Sequence, residues 1–224
     1  MAANSSISPK RIFLVDDHPL VREWLTNLIN QQPGLQVCGE AESGREAREK
    51  IIQLRPDVAI VDIALKDSSG VELIKDLKQG CPEVAVLVLS MHEEPHYAER
   101  ALRAGARGYV MKRETTKKVI MAINEVLAGR LCVNETVAAA MAAKFVEGKT
   151  LATNSPIEQL SDRELEVFEL LGQGRTTRQI AETLHLSLKT VQAYCARVKD
   201  KLNLNSATEL LREAVRWHEN SQPT

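Results

Sequence analysis

The chain has 224 residues, which is more than one compact domain usually contains and enough for two small ones. Apolar residues make up 44% of it and charged residues 26%, a composition that predicts a water-soluble globular protein and argues against extensive disorder. The formal net charge of −1 argues against general adhesion to nucleic acid, and no apolar run reaches the roughly 20 residues that a membrane span requires.

The amino-terminal stretch MAANSSISPK has no apolar core of the kind that a secretory signal contains. We therefore expect a cytoplasmic protein without a membrane partner. The cysteines are far apart in the sequence and show no metal-ligand spacing, which predicts reduced thiols; they are Cys38, Cys81, Cys132 and Cys195.

The first half of the chain repeats one pattern, a short apolar run followed by a stretch with helical periodicity. The predicted strands are residues 12–15, 35–39, 57–62, 84–90 and 108–111. The predicted helices are residues 20–31, 45–54, 71–78, 96–103 and 116–128. Continuous apolar strands that alternate with helices are typical of a parallel sheet buried on both faces. We predict a doubly wound α/β domain whose five parallel strands have the flavodoxin-like order 2-1-3-4-5.

Three aspartates follow or end two of these strands. Asp16 and Asp17 come directly after the first strand, and Asp62 ends the third. Strands one and three are neighbours in the predicted order, and ligands of open α/β sheets bind at the carboxyl ends of the strands. Clustered carboxylates raise one another's pKa unless a cation neutralises them, and such oxygen ligands suit Mg²⁺. The sequence therefore predicts a magnesium site at this edge.

Two further polar residues are predicted at the same edge. Ser90 ends the fourth strand and Lys112 follows the fifth. A hydroxyl and an ammonium beside a metal-bound carboxylate can hold a phosphoryl group while Asp62 attacks phosphorus. Taken singly, each residue has an ordinary explanation, such as a helix cap or a solvated charge. Suitable residues at the ends of four strands together favour the site.

The pattern changes after residue 129. Residues 134–146 are rich in alanine and predict a helix, and the polar stretch EGKTLATNSP after them predicts a flexible linker. We divide the chain into a first domain over residues 10–130, a helix and linker over 131–157, and a second domain over 158–220.

The second domain has helical signals throughout. Ser161 with Glu164 and Ser206 with Glu209 fit capping boxes, and Ser187 is a candidate cap. A helix over residues 177–184, a turn over 185–187 and a helix over 188–202 predict a helix-turn-helix within a small domain of four helices.

The helix over residues 188–202 has two contrasting faces. A predicted buried stripe consists of Val191, Cys195, Val198 and Leu202. The opposite face would enter the major groove, where Gln192 could bond adenine and Ala193 and Ala196 could touch thymine methyl groups. The candidate phosphate contacts are Lys189, Arg197, Lys199, Lys201, Thr176 and Thr177. Residues 175–201 carry six Lys or Arg against two acids, a short basic segment in an otherwise neutral chain.

The first domain resembles the receiver domain of two-component response regulators. The matching elements are VDDHP (15–19), AIVD (59–62), Gly70, VLVLS (86–90) and ARGYVMK (106–112). The resemblance implies that a sensor histidine kinase phosphorylates Asp62. It implies Mg²⁺ ligands at Asp16, Asp17, Asp62 and the backbone carbonyl of Ala64. It also implies that Ser90 is the switch hydroxyl, Tyr109 the switch aromatic and Lys112 the phosphoryl-binding lysine.

Residues 160–214 resemble the LuxR-type DNA-binding domain, and the order of the two domains is that of the NarL/FixJ class of response regulators. The resemblance implies binding to double-stranded promoter DNA and a homodimer on phosphorylation or DNA binding. Two positions depart from the pattern, because Lys66 and Arg113 stand where many receivers have proline. The last helix, residues 207–218, has apolar residues at a spacing that fits either the core or a dimer interface.

Two other functions are compatible with parts of the sequence. A Mg²⁺-dependent phosphatase would also use an aspartyl phosphate, but such enzymes typically carry a second carboxylate two residues after the nucleophile, where this chain has Ala64. A phosphorylation-dependent protein-binding module with little DNA affinity is suggested by the uncharged Gln192, Ala193 and Ala196.

Overall fold

The computed structural model describes residues 8–65, 69–91, 95–146 and 156–221. The chain divides into two compact units, Met1–Leu151 and Ala152–Thr224. Lys66 and residues 147–155 of the predicted linker lie outside the described residues.

The first unit contains a five-stranded parallel sheet. Its strands are β1 (Lys10–Val15), β2 (Leu35–Ala41), β3 (Val58–Asp62), β4 (Ala85–Ser90) and β5 (Gly108–Met111). They lie in the order β2-β1-β3-β4-β5, and every neighbouring pair is parallel. The central strand β3 is buried along its whole length, as expected for a sheet covered on both faces. The predicted fold and strand order are confirmed.

Helices connect the strands. They are α1 (Pro19–Asn30), α2 (Gly44–Leu54), α3 (Gly70–Gly80), α4 (Pro95–Ala104) and α5 (Thr116–Leu127). Their bounds differ from the predicted ones by at most two residues. Side chains of Ser43, Ser69 and Thr115 accept hydrogen bonds from the first turns of α2, α3 and α5, which explains where these helices begin.

The core of the first unit lies on both faces of the sheet. One face packs against α1 and α5, through the cluster formed by Ile12, Leu14, Leu25, Ile29, Leu35, Val58, Ile60, Leu87, Leu89, Val110, Val119, Ala122, Ile123 and Val126. Because side chains alternate along a strand, Phe13, Val61, Val88 and Tyr109 point to the other face, and they are also buried.

The chain after α5 lies along the outer edge of β5. The amide of Tyr109 donates to the carbonyl of Cys132 (2.8 Å), and the amide of Cys132 donates to the carbonyl of Arg107 (3.0 Å). Asn134 Oδ1 then accepts from the amide of Val137 (2.7 Å) at the start of α6 (Glu135–Val146). Val137 is buried, and α6 packs against α4. This segment therefore covers an edge that would otherwise leave backbone groups unpaired.

The second unit is helical. A 3₁₀ turn (Pro156–Gln159) precedes α7 (Asp162–Gly172), α8 (Thr177–Thr183), α9 (Leu188–Leu202) and α10 (Ala207–Ser221). The turn between α8 and α9 passes through His185, which has a left-handed φ of 53°. Helices α7, α9 and α10 pack together, with the rings of Phe168 and Trp217 5.8 Å apart. The predicted helix-turn-helix is confirmed.

The predicted helix caps of this unit are present with one difference. Ser161 and Glu164 form a complete capping box, and Ser187 caps α9. Ser206 accepts from the amide of Glu209 (3.1 Å), but the Glu209 carboxylate accepts from the amide of Asn205 (2.7 Å) instead of that of Ser206. The third predicted capping box is therefore incomplete, because the glutamate carboxylate bonds to the residue before the cap and not to the cap itself.

All four cysteines are free thiols, and only Cys81 among them is fully buried. Within the described ranges, no helix has the length and apolar character needed to cross a membrane.

Candidate functional site

The three predicted aspartates meet at the carboxyl edge of the sheet. Asp16 and Asp17 follow β1, Asp62 ends β3, and all three are at most 7% exposed. One ligand atom from each, with one from His18, lies within 4.8 Å of the others. The meeting follows from the strand order, because β1 and β3 are paired neighbours.

Lys112 joins two of these carboxylates. Its Nζ atom lies 2.6 Å from Asp16 Oδ2 and 2.7 Å from Asp62 Oδ2, and its side chain is 8% exposed. The amide of Lys112 donates to the carbonyl of Ser90 (2.8 Å), which continues the pairing of β4 and β5 past the end of β5. The backbone therefore fixes where this ammonium enters the site.

The charges of Lys112 and Asp62 depend on each other. Burial alone lowers the pKa of Lys112, but Asp62 and Asp16 outweigh it and raise that pKa above its ordinary value. Burial raises the pKa of Asp62, an effect that Lys112 opposes and Asp16 reinforces. Lys112 thus stays protonated, while Asp62 is a desolvated carboxyl group that needs a cation to hold its charge.

A close approach of backbone segments positions the loop after Asp62. The amide of Ala64 donates to Asp62 Oδ1 (3.2 Å), and the amide of Gly70 donates to the carbonyl of Ile63 (3.1 Å). A Cβ atom at Gly70 would lie 2.4 Å from the Asp62 carbonyl oxygen, so only glycine fits there. The start of α3 is therefore held directly against the end of β3.

Ser90 and Tyr109 lie on the same face of the sheet. Ser90 ends β4 and is fully buried, and Tyr109 in β5 is 4% exposed. Ser90 is in register with Met111, two residues beyond Tyr109, so both side chains point away from the face covered by α1 and α5. The structure thus places the predicted switch pair near each other, next to the strand end that carries Lys112.

His18 was not among the predicted site residues. Its Nδ1 atom lies 2.7 Å from Asp17 Oδ1 and 3.1 Å from Asp16 Oδ1, and its amide donates to Asp16 Oδ1 (2.8 Å). Its position directly after the aspartate pair was the only signal in the sequence. The side chain is half-exposed and takes part in holding the two aspartates.

The donor set suits a magnesium ion. Asp16, Asp17 and Asp62 provide carboxylate oxygens, the hard ligands that Mg²⁺ prefers, and the backbone of Ala64 lies in the same turn. Three acids against the single charge of Lys112 leave this crevice with an excess of negative charge among the described residues.

In the second unit, α9 presents the predicted polar face to the exterior. The residues predicted for this face are exposed, namely Lys189, Gln192, Ala193, Ala196, Arg197 and Asp200. On the opposite face Val191 and Val198 are fully buried, whereas Cys195 and Leu202 are only partly buried. The predicted stripe therefore forms the contact of α9 with the domain but is less deeply covered at Cys195 and Leu202.

The remaining residues predicted to contact DNA differ in their exposure and in their hydrogen bonds within the domain. Thr176 is exposed and caps α8 through its hydroxyl, and Thr177 is partly exposed. Lys199 is partly exposed. Lys201 instead donates to Glu164 Oε2 (2.6 Å) and to the carbonyl of Gln159 (3.0 Å). The predicted phosphate contact at Lys201 stays a prediction, and the ammonium is held within the domain by these two bonds.

Comparisons with known families match both units. Residues 12–124 match the response regulator receiver domain, and residues 158–214 match the luxR family of bacterial regulatory proteins.

Curated relatives match over nearly their whole length. The oxygen regulatory protein NreC of Staphylococcus haemolyticus is 32% identical over 210 residues, which cover 92% of this chain and 97% of that protein. The DNA-binding transcriptional activator DevR/DosR of Mycobacterium tuberculosis is 37% identical over 199 residues, covering 89% and 91%. The response regulator GacA of Pseudomonas viridiflava is 34% identical, covering 92% and 95%.

Solved structures show the same fold. A LuxR-family two-component response regulator from Aurantimonas superposes with a TM-score of 0.58 at 35% identity, covering 62% of this chain and 99% of that one. RcsB of Salmonella enterica serovar Typhimurium, solved on the promoter rprA with the phosphomimetic BeF3⁻, has a TM-score of 0.56 at 24% identity. That match covers 92% of this chain and 98% of RcsB, and at this identity it supports the fold alone.

Proposed function

This chain belongs to the NarL/FixJ class of response regulators, transcription regulators with a receiver domain and a LuxR-type DNA-binding domain, and we propose that Asp62 is its phosphoacceptor. A sensor histidine kinase supplies the phosphoryl group, and helix α9 binds promoter DNA. The observation that carries the proposal is the convergence of Asp16, Asp62 and Lys112 within hydrogen-bonding distance in one buried crevice.

Magnesium would be held by Asp16, Asp17, Asp62 and the backbone carbonyl of Ala64. When bound, the ion offsets negative charge on the phosphoryl oxygens. Side chains of this protein attack phosphorus and bind the phosphoryl group. A carboxylate oxygen of Asp62 forms the bond to phosphorus as the bond between phosphorus and the phosphodonor breaks.

Lys112 and Ser90 hold the phosphoryl group after transfer. The ammonium of Lys112 already lies 2.7 Å from Asp62 Oδ2, so a small movement brings it to a phosphoryl oxygen. The hydroxyl of Ser90, at the end of the neighbouring strand, binds another oxygen. Movement of Ser90 toward Asp62 would leave space that the buried ring of Tyr109 can enter, and this change alters the surface of α4 and β5.

We propose that the aspartyl phosphate is a signal and not an enzymatic intermediate. Asp62 is followed by Ile63 and Ala64, so no carboxylate stands two residues after it to act as an acid in hydrolysis. The matched families consist of regulators, which agrees with this role.

For DNA, we propose base contacts from Gln192, Ala193 and Ala196, which lie on the exposed face of α9. Phosphate contacts come from Lys189, Arg197 and Lys199, with Thr176 and Thr177 at the start of α8. A homodimer would place two such helices on adjacent half-sites. DevR/DosR is a DNA-binding transcriptional activator by name, and its similarity over both domains supports this assignment.

The phosphoacceptor is tested by the intact mass of the protein after incubation with acetyl phosphate and Mg²⁺. Wild type is expected to gain one phosphoryl group and Asp62→Asn none, because the amide lacks the nucleophilic oxygen. Asp57→Asn is the matched control, since Asp57 precedes the same strand at its other end and pairs with Lys10. A gain of phosphate by Asp62→Asn at the wild-type rate would show that the acceptor lies elsewhere.

A further inference from the structure

Helix α7 begins with a buried carboxylate that faces the recognition helix α9. Glu164, in the first turn of α7, has a side chain that is 4% exposed. Its Oε2 atom accepts from the amide of Ser161 (2.8 Å) and from Lys201 Nζ (2.6 Å). Its Oε1 atom lies 3.5 Å from Arg197 Nε. One carboxylate therefore contacts its own helix cap and two cations of α9.

Lys201 is held at a second point as well. Its ammonium donates to the carbonyl of Gln159 (3.0 Å) in the 3₁₀ turn that precedes α7. Two of the three donors of this ammonium are thus used inside the domain. A DNA phosphate that took either of these two donors would have to displace the Glu164 carboxylate or the Gln159 carbonyl.

Arg197 is held in a different way. Its side chain is 54% exposed, and its guanidinium carbon lies 4.5 Å from the centre of the Tyr194 ring. The contact with Glu164 is made at Nε, which carries one of the five N–H donors of the guanidinium. Glu164 and Tyr194 thus fix the direction of Arg197 while its outer end stays at the surface.

The charge of Glu164 makes this arrangement costly to break. Burial alone raises the pKa of Glu164, but hydrogen bonds from Lys201 and from the Ser161 amide outweigh it and hold the pKa below its ordinary value. Glu164 is therefore charged at neutral pH. A buried charge is stable only while its partners are in place, so releasing Lys201 to DNA is unfavourable.

We infer that Glu164 is a positioning residue for DNA binding, which keeps Lys201 within the domain and directs Arg197 toward the DNA backbone. The recognition helix then contacts phosphates through Lys189, Arg197 and Lys199, without Lys201. This inference rests on the proposed DNA binding and assigns which cations of the basic segment take part in it.

The test uses the salt dependence of DNA affinity, because each phosphate contact contributes about 0.9 to the slope of log Kd against log salt concentration. Full-length wild type, Lys201→Met, Glu164→Gln and the double variant are titrated with one random-sequence duplex between about 50 and 200 mM salt. Circular dichroism at the titration temperature confirms that each protein is folded. A purely structural role of Glu164 would change the folded fraction but not the slope.

Lys201→Met is expected to keep the wild-type slope. Glu164→Gln removes the charged partner of Lys201 and leaves it only the Gln159 carbonyl, so Lys201 is expected to add up to about 0.9 to the slope of this variant. Adding Lys201→Met to Glu164→Gln is expected to lower the slope by that amount. The contribution of Lys201 to the slope is thereby measured both with and without the Glu164 carboxylate.

A slope that falls by about 0.9 in Lys201→Met alone would overturn the inference, since Lys201 would then contact phosphate in the wild type. The comparison of Lys201→Met with wild type tests whether Lys201 contacts phosphate even if Glu164→Gln does not fold. A slope that does not fall when Lys201→Met is added to Glu164→Gln would also contradict the inference. Failure of the wild type to bind the duplex at any salt concentration is a different result, which would contradict the proposed DNA binding itself.

Discussion

Lys112 forms ion pairs with two buried carboxylates, Asp16 and Asp62. Removing one partner from a buried ion network leaves uncompensated charge and costs about 3 to 5 kcal/mol, although the intact network contributes little net stability. Lys112 is therefore expected to matter for stability as well as for phosphoryl binding.

Lys112→Met is accordingly expected to lower the free energy of unfolding by about 3 kcal/mol in EDTA. Mg²⁺ should restore part of this loss, because it can neutralise the same carboxylates and stabilises the folded state that binds it. The measurement is urea unfolding of wild type and variant with EDTA and with Mg²⁺. Equal stabilities in EDTA would show that Lys112 does not compensate these charges.

At the residue scale, the strand-end rule predicted the crevice well. Asp16, Asp62 and Lys112 are far apart in sequence, yet parallel strands bring their carboxyl ends to one edge, so their meeting could be predicted. The partner of Lys201 could not be predicted. Glu164 and Lys201 belong to different helices, and sequence periodicity gives the buried face of each helix but not which side chains meet across it.

At the element scale, the junction between β3 and α3 depends on Gly70. A Cβ atom there would lie 2.4 Å from the Asp62 carbonyl oxygen and 2.6 Å from Ile63 Cα. Both are backbone atoms, which cannot turn aside as a flexible side chain can. A side chain at residue 70 must therefore move the loop that carries Asp62 and Ala64.

Gly70→Ala is expected to destabilise the protein by about 1 to 3 kcal/mol, the usual cost of overpacking, and to slow phosphorylation of Asp62. Gly80→Ala is the matched control, because Gly80 ends the same helix and a Cβ there meets nothing within 4 Å. Thermal unfolding and the rate of phosphorylation by acetyl phosphate are measured for both. Equal behaviour of the two variants would contradict the role of the close approach.

Strands and helices were predictable from apolar runs and helical periodicity, with bounds correct to two residues except at the end of the last helix, predicted at residue 218 and found at Ser221. The pairing of Cys132 with the edge of β5 was not predicted. This pairing is a single bridge between Gly108 and Cys132, which is too short to produce an alternating sequence pattern. It also depends on the position at which the chain leaves α5. Local sequence patterns predict helices and strands, but a pairing of this length can be recognised only once the positions of the strands in the sheet are known.

At the scale of the whole molecule, the proposed function requires that phosphorylation of one unit change the DNA affinity of the other. A modification can shift such an equilibrium only by its differential stabilisation of two states. Coupling free energies between sites are typically about 1 to 3 kcal/mol, or roughly 5 to 150-fold in affinity. The same coupling requires that promoter DNA stabilise the phosphorylated form of the receiver by an equal factor.

We expect Ser90 and Tyr109 to connect phosphorylation with DNA affinity. Both are buried on the same face of the sheet, and Ser90 stands at the end of the strand next to β3. Ser90→Ala keeps the nucleophile Asp62 but removes the hydroxyl that would respond to the phosphoryl group. This variant should accept phosphate and fail to transmit most of its effect.

The most direct test of the central claim is the affinity of the full-length protein for promoter DNA at fixed salt, before and after phosphorylation confirmed by intact mass. Wild type is expected to bind roughly 5 to 150-fold more tightly when phosphorylated, and Ser90→Ala to lose most of that gain. An unchanged affinity of fully phosphorylated wild type would contradict the claim that Asp62 controls DNA binding.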